Sequence, residues 1–408
     1  MKAFKIILAS VLAWAFVGMA NAQTVIHIAG SSAFRATAHA AIESILNTGF
    51  TGAYTGTSLN TAGQAIFSGS TITGNIPVLI KTSWSGSGDG LAVLTKNFVV
   101  PDSAIGVAGG WLENSQLPAS GVVGGASSTT IDTPVRADVT FSDSFQSSTL
   151  YTTPVLVGAN GYTAGVVAVV PFEWVVGNYA PGTPPAGLTN ITDELAQCVL
   201  LSIATLSQFT GNPGDAGTPV QVYGLDAGST GRPEALAECG FGVLKAPVQY
   251  KATISGGTVT SIDPWPGQFT DGISYPEGHE GYVSEGGVST ALNTPGMLTA
   301  ADYPGVMLGY LGISDALNVT NGTILTYDGV PCSNTAVQQG AYPVWSYEHI
   351  YYRSSYGTTS PNGKTVADQI AAQIHNVAAD TNVSGILVGT MAVGRGDEGS
   401  TITPGNFF

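Results

Sequence analysis

Apolar positions in this chain form short continuous runs that alternate with stretches of helical spacing. Val25-Ile26-His27-Ile28-Ala29 reads as a strand, Gly30-Ser31-Ser32 breaks it, and a helix is predicted over Ala33 to Leu46. The order recurs with Pro77-Val78-Leu79-Ile80, a Ser/Gly turn through Gly90, and Leu91-Ala92-Val93-Leu94. Val166 to Val176 is apolar enough to be a buried strand. Thr189 to Glu194 opens a helix predicted to run through Leu206, capped by Thr192 or Asp193. Val220 to Gly224 is a further strand, broken at Asp226-Ala227-Gly228-Ser229, with a helix starting near Pro233, where the first turn tolerates proline. Tyr250 to Ile262 reads as a hairpin around Ser255-Gly256-Gly257. Gly305 to Leu311 and the aromatic Trp345 to Tyr352 are extended, and Val366 to Val377 is an amphipathic helix. Pro101 to Pro134, rich in Gly, Ser and Pro, is a loop-dominated insertion, and there is no tandem repeat. Strands alternating with helices along the whole chain predict an α/β protein with mostly parallel sheets.

The first residues follow another logic. Lys2 and Lys5 precede an apolar run from Ile6 to Met19, and Ala20-Asn21-Ala22 ends it as a small-x-small cleavage site. This is the order of a secretory signal, so 1–22 is expected to be removed and the mature chain to begin at Gln23. The run is shorter than the roughly 20 residues of a membrane span, and no cysteine follows to carry a lipid. The mature protein is therefore expected outside the cytoplasmic membrane, periplasmic or extracellular, and not membrane-spanning.

Composition narrows the function. Of 408 residues only 10% are charged, yet 44% are hydrophobic, which excludes disorder and suggests a weakly charged, hydroxyl-rich surface. Twelve basic against 27 acidic residues give a net charge of −15. Binding a phosphate backbone needs a basic face, so nucleic acid is excluded as a partner. Any anion site must work through local groups. Length predicts two or three domains of about 150 residues.

Cys198, Cys239 and Cys332 are too few for a disulfide scaffold and too scattered for zinc. Cys198 with Cys239 is the pair to expect if one bridges, and buried free thiols are the other reading. The five histidines, His27, His39, His279, His349 and His375, lack metal-ligand spacing, so neither metal nor cofactor is predicted. His279, between Glu277 and Glu280, reads as part of a solvated loop. With no Gly-x-Ser-x-Gly elbow and no Ser/His/Asp set close in sequence, an enzyme is not expected.

Three strand-to-helix junctions carry chemistry: Gly30–Ser32, Ser85–Gly90 and Gly228–Arg232. Each places Gly and Ser where a helix begins, where free N–H groups and the helix dipole attract an anion. Each alone is equally an ordinary turn.

In sequence order these junctions resemble the phosphate-binding proteins of bacterial phosphate importers, a branch of the periplasmic solute-binding superfamily. Ile28-Ala29-Gly30-Ser31-Ser32-Ala33-Phe34 resembles the family's first phosphate turn, and Ser85-Gly86-Ser87-Gly88-Asp89-Gly90 the second. Ala137-Asp138-Val139-Thr140-Phe141-Ser142-Asp143 resembles the segment with the acidic ligand. Tyr223-Gly224-Leu225-Asp226-Ala227-Gly228-Ser229-Thr230-Gly231-Arg232 resembles the family's Gly-Ser-Gly-Thr-Arg turn. Val170 to Asn178, Leu188 to Thr192, Gly309 to Gly312 and Tyr342 to Tyr347 match later landmarks, so the resemblance spans nearly the whole mature chain.

The resemblance implies a two-lobed type II periplasmic-binding-protein fold. Lobe 1 would comprise 23–155 plus 341–408, and lobe 2 156–340, with the ligand between them. Ser31, Ser32 and Phe34 would donate from one helix start, and Ser85 or Ser87 from another. Asp143 would accept the proton of a monoprotonated oxyanion, favouring phosphate over sulfate. Ser229, Thr230, Gly231 and Arg232 would close from lobe 2. The implied partners are phosphate or a similar oxyanion and an ABC permease, with the binding protein a monomer. Leu225 stands where the family commonly has Arg, and Thr230-Gly231 reverses the usual order.

Each site residue has a plainer reading. Asp143 can cap a turn between Ser142 and Ser144, Arg232 can pair with Glu234 or a surface carboxylate, and Arg35 can point outward from its helix. A secreted structural or adhesive protein that reuses the fold without tight binding is the alternative function.

Overall fold

The computed structural model describes residues 23–96, 110–126, 134–177, 185–227, 229, 231–270, 273–295, 305–320, 322–375 and 385–408. The expected signal segment, much of the 101–134 insertion and the far end of the Val366–Val377 helix lie outside these.

The strands of the first part are β1 (Thr24–Gly30), β2 (Thr51–Tyr54), β3 (Gln64–Ser70), β4 (Pro77–Ser83), β5 (Val123–Gly125), β6 (Val139–Ser142), β7 (Val157–Gly158) and β8 (Val166–Val176). Then come β9 (Asn190–Ile191), β10 (Val220–Tyr223), the hairpin of β11 (Tyr250–Ser255) and β12 (Thr258–Pro264), β13 (Gln268–Thr270), β14 (Ile273–Tyr275), β15 (Val306–Gly312), β16 (Thr323–Ile324), β17 (Thr326–Tyr327) and β18 (Trp345–Tyr352). The helices up to that strand are α1 (Arg35–Ile45), α2 (Ser87–Lys96), α3 (Asp193–Leu200), α4 (Leu206–Thr210), α5 (Gly231–Glu238), α6 (Glu285–Asn293), α7 (Ile313–Ala316) and α8 (Asn334–Gln338).

The main sheet runs β10-β15-β8-β18-β6-β1-β4-β3-β2-β5. It is parallel where β10 meets β15 and across β6, β1 and β4, and antiparallel through β8 and β18. The α/β expectation therefore holds in a mixed sheet flanked by helices. β8 explains how one sheet serves two regions. Its eleven residues are all buried, as a strand covered on both faces requires. Val166 to Pro171 pair with β18, and Phe172 to Val176 pair with β15. Pro171, which has no N–H to offer, sits at the handover.

The strand predictions agree with the structure to within a few residues, but the helix predicted from Thr189 through Leu206 divides. Thr192 caps α3 by accepting from Leu195 N. The helix then ends at Leu200, Ser202 takes a left-handed φ of 56°, and Thr205 with Gln208 forms a capping box that starts α4. The amphipathic helix near the C-terminus begins at Pro361, ahead of Val366.

The cysteines are unbridged. His39 and His349 are buried, and burial lowers each pKa to about 4, which makes them neutral core residues. Among the described residues no His/Cys/Asp/Glu group could hold a metal, and no helix is long and apolar enough to cross a membrane.

Candidate functional site

The site begins with register. β1 lies between β4 and β6 in parallel, with Ala29 opposite Ser83 and Gly30 opposite Phe141. The turns leaving the three strands therefore emerge together at their carboxyl ends, where open α/β sheets place ligands. Glycines let them close up. Gly30 has a φ of +127°, and a Cβ there would lie 1.9 Å from the Phe141 carbonyl oxygen. A Cβ on Gly90 would lie 2.0 Å from Thr140 Oγ1 and 2.9 Å from Gly30 Cα, so the first turn of α2 sits directly on β1 and β6. Gly86 N donates to Gly30 O at 3.0 Å, joining the first two turns.

Asp143 lies at the convergence. Ser31 Oγ donates to its Oδ2 at 2.9 Å and Ser87 Oγ to its Oδ1 at 3.0 Å. Asp143 N donates back to Ser87 Oγ at 3.2 Å, and Phe34 N to Ser31 Oγ at 3.3 Å. Burial pushes the Asp143 carboxyl up to about 6, partly offset by the two serine hydroxyls. The turn-capping reading of Asp143 fails because Ser142 caps that turn instead, its Oγ donating to Ser144 O and accepting from Ser144 N.

The other residues expected at the site have varied placements. Ser32 presents its carbonyl to Arg35 Nη1 at 2.7 Å. The Arg35 guanidinium does not point outward; it reaches Asp315 Oδ1 at 3.3 Å on α7. The Phe34 ring is buried and stacks on Phe141. Ser85 Oγ is buried without a hydrogen bond of ordinary geometry, though it is near enough to Asp89 to ease that carboxyl. Ser229 is buried, its N–H bonded to Asp226 O. Thr230 lies outside the described residues. Gly231 opens α5, packed so that a Cβ would meet Leu225 Cδ1 at 2.9 Å and Glu285 Oε1 at 3.2 Å.

Arg232 is buried and does not pair with Glu234. Its Nη1 donates to the carbonyls of His279 at 2.7 Å and Leu225 at 3.4 Å, and its Nη2 meets His279 Nδ1 at 3.1 Å. Glu234 instead faces Arg395, which also holds Glu238 at 2.8 Å. His279 is accordingly no part of a solvated loop. Burial and the adjacent Arg232 lower its pKa to about 4, so it offers Nδ1 as an acceptor. Leu225 is fully buried, its N–H donating to the Tyr310 hydroxyl and its carbonyl accepting from Gln249.

A cavity of about 220 Å³ is lined by Gly88 and Ser148 from the first part of the chain and by Ala227, Arg232 and His279 from its middle, with Ser87 adjoining it in sequence through Gly88. The structure thus brings Ser31, Ser87 and Asp143 together, while Arg232 lines the cavity that Gly88 borders.

Two carboxyls near this site escaped the sequence reading. Glu348 on β18 is fully buried, and burial followed by Asp143 raises its pKa well above the carboxylate range. Ser31 eases it in part, without a hydrogen bond of ordinary geometry. Glu285 opens α6 with its carboxyl against Gly231 and Gly312, raised by burial, then by Asp315 and Asp143. A lone Glu inside the aromatic Trp345–Tyr352 run was the available signal for Glu348. Glu285 after Ser284 has the pattern of an ordinary helix start, and only the topology distinguishes it.

No protein-family model matches the chain, and no curated protein matches it. Among solved structures, the chain is similar to an ABC-type phosphate transport receptor from Vibrio cholerae at 14% identity and a TM-score of 0.44, covering 88% of this chain and 99% of that one. It is similar to a Clostridium perfringens protein solved with bound phosphate at 12% identity and a TM-score of 0.45, covering 89% and 99%. It is also similar to PstS from Borrelia burgdorferi at 13% identity and a TM-score of 0.34, covering 85% and 97%.

Proposed function

We propose that this chain is an exported solute-binding protein, not an enzyme, that captures a small oxyanion, phosphate foremost, and delivers it to an ABC importer. The ligand lies between lobe 1 (23–155 plus 341–408) and lobe 2 (156–340). The observation that carries this reading is the convergence of Ser31, Ser87 and Asp143 from three separate turns. Each serine hydroxyl has one proton to give. When Ser31 and Ser87 turn to an anion they leave Asp143, whose oxygens then accept the anion's own proton. A protonated oxyanion returns one hydrogen bond to the buried Asp143 carboxyl, whereas fully ionised sulfate has no proton to give and leaves that carboxyl without a donor. Arg232, held by carbonyls and a neutral imidazole, supplies positive charge from the far side.

Calorimetry of the desalted mature chain with phosphate, sulfate, arsenate and molybdate tests this. Phosphate and arsenate should bind, sulfate should not, and Asp143→Ala should abolish phosphate binding. Silence for every anion supports the second reading, a secreted structural or adhesive protein. The observation favouring that reading is the buried Leu225 where a cation is expected.

A further inference from the structure

The cavity is too large and too apolar for a bare oxyanion. At about 220 Å³ it exceeds the roughly 150 Å³ that accommodates benzene in an apolar protein cavity, whereas phosphate has only five heavy atoms. It opens off Gly88 and Arg232, the residues next to Ser87 and Gly231. Leu150, Pro233, Val243 and Leu244 give it an apolar lining, to which Ser148, Thr149, Lys245 and His279 add polar groups. Leu150 is 56% exposed and Leu244 69% exposed. They come from the segments after β6 and after α5, so the two proposed lobes each present a leucine to the same space. Single exposed leucines are commonplace, but a pair converging on one cation-bearing cavity forms an apolar surface that a ligand can cover.

Resting on the oxyanion reading above, we infer that the ligand is a phosphate monoester with a small apolar substituent. The phosphoryl group lies at the Ser31, Ser87 and Asp143 turns, and the substituent fills the cavity against Leu150 and Leu244. The ester binds in its monoprotonated form, its proton going to Asp143, and Arg232 and Lys245 face its single negative charge.

Calorimetry with inorganic phosphate and with phenyl phosphate tests this, at a pH of about 6, where a monoester is half monoprotonated. Phenyl phosphate should bind at least about tenfold tighter than phosphate, because its ring removes the leucine surface from water. Leu150→Ser with Leu244→Ser, both at exposed positions, should erase the preference and leave phosphate affinity unchanged. Phosphate binding with equal or weaker phenyl phosphate binding overturns this inference and leaves the oxyanion reading standing. A preference that survives the double substitution overturns the placement of the ring. Failure of both ligands overturns the oxyanion reading itself.

Discussion

Ser31 Oγ donates to Asp143 Oδ2 at 2.9 Å across 112 positions of chain, and this bond ties the first turn of the site to the third. The carboxyl it holds sits at a pKa of about 6, raised from 3.8 chiefly by burial. The unfolded chain returns Asp143 to the ordinary value of about 3.9. Between those values the native state keeps a proton that the unfolded state has lost, so stability falls as pH rises through the window from about 4 to about 6. A shift of about two units corresponds to roughly 3 kcal/mol at about 1.4 kcal/mol per unit. Asp143→Asn keeps an oxygen acceptor for Ser31 and removes the titration. Its denaturant-measured stability should be flatter over that window, the gap from wild type closing by roughly 3 kcal/mol as pH rises. Parallel curves for the two proteins would sink this assignment.

The closeness of the turns depends on two glycines, and they should differ in how far they can be rescued. Gly90→Ala drives a methyl into Thr140 Oγ1, a side-chain atom, and toward Gly30 Cα. Gly30→Ala drives one into the Phe141 carbonyl oxygen, a backbone atom, at a φ of +127° that disfavours any side chain. Each should cost at least about 1–3 kcal/mol by overpacking, with Gly30→Ala the more severe. Adding Thr140→Ala should restore part of the melting temperature of Gly90→Ala and little of that of Gly30→Ala. Equal rescue of both by calorimetric melting would contradict the packing described.

What was legible in the sequence follows the range of the forces involved. β8, mostly apolar, and β18, rich in aromatic residues, stand out because such composition needs only local patterning to be read. Ser31 and Ser87 were legible because a Gly/Ser turn between strand and helix is itself a local signal, and parallel register then gathers such turns at one edge; Asp143, which lies in no such turn, was singled out only through the resemblance. Contacts that exist only through topology were not. Arg232 could be read as a partner of nearby Glu234, yet its guanidinium lies on His279, 47 positions away, and Glu234 faces Arg395. Glu348 and Glu285 meet the site only after the sheet has formed. The break after α3 was hidden because Ser202, not Gly or Pro, takes the left-handed turn.

Arg35 and Asp315 provide the last test, because their pair joins α1 to α7 and so crosses the division between the proposed lobes. Side-chain exposures are 11% and 4%, and the Nη2 to oxygen distances are 3.3 and 3.4 Å. Removing one member of a pair this buried leaves the other charge unpaired, at a cost of about 3–5 kcal/mol. The two members should not be equivalent. Arg35→Ala strands Asp315 and takes away a positive charge that eases Glu285, so its full cost is expected. Asp315→Asn leaves Arg35 its bond to Ser32 O and removes the acidic neighbour that, after burial, most raises the Glu285 pKa, so it should cost less. The double variant should then cost less than the sum of the singles, as coupled neighbours do. Urea unfolding of the four proteins decides it: additive losses, or an Arg35→Ala cost below about 1 kcal/mol, would show that the contact is a solvent-screened pair rather than a buried clasp.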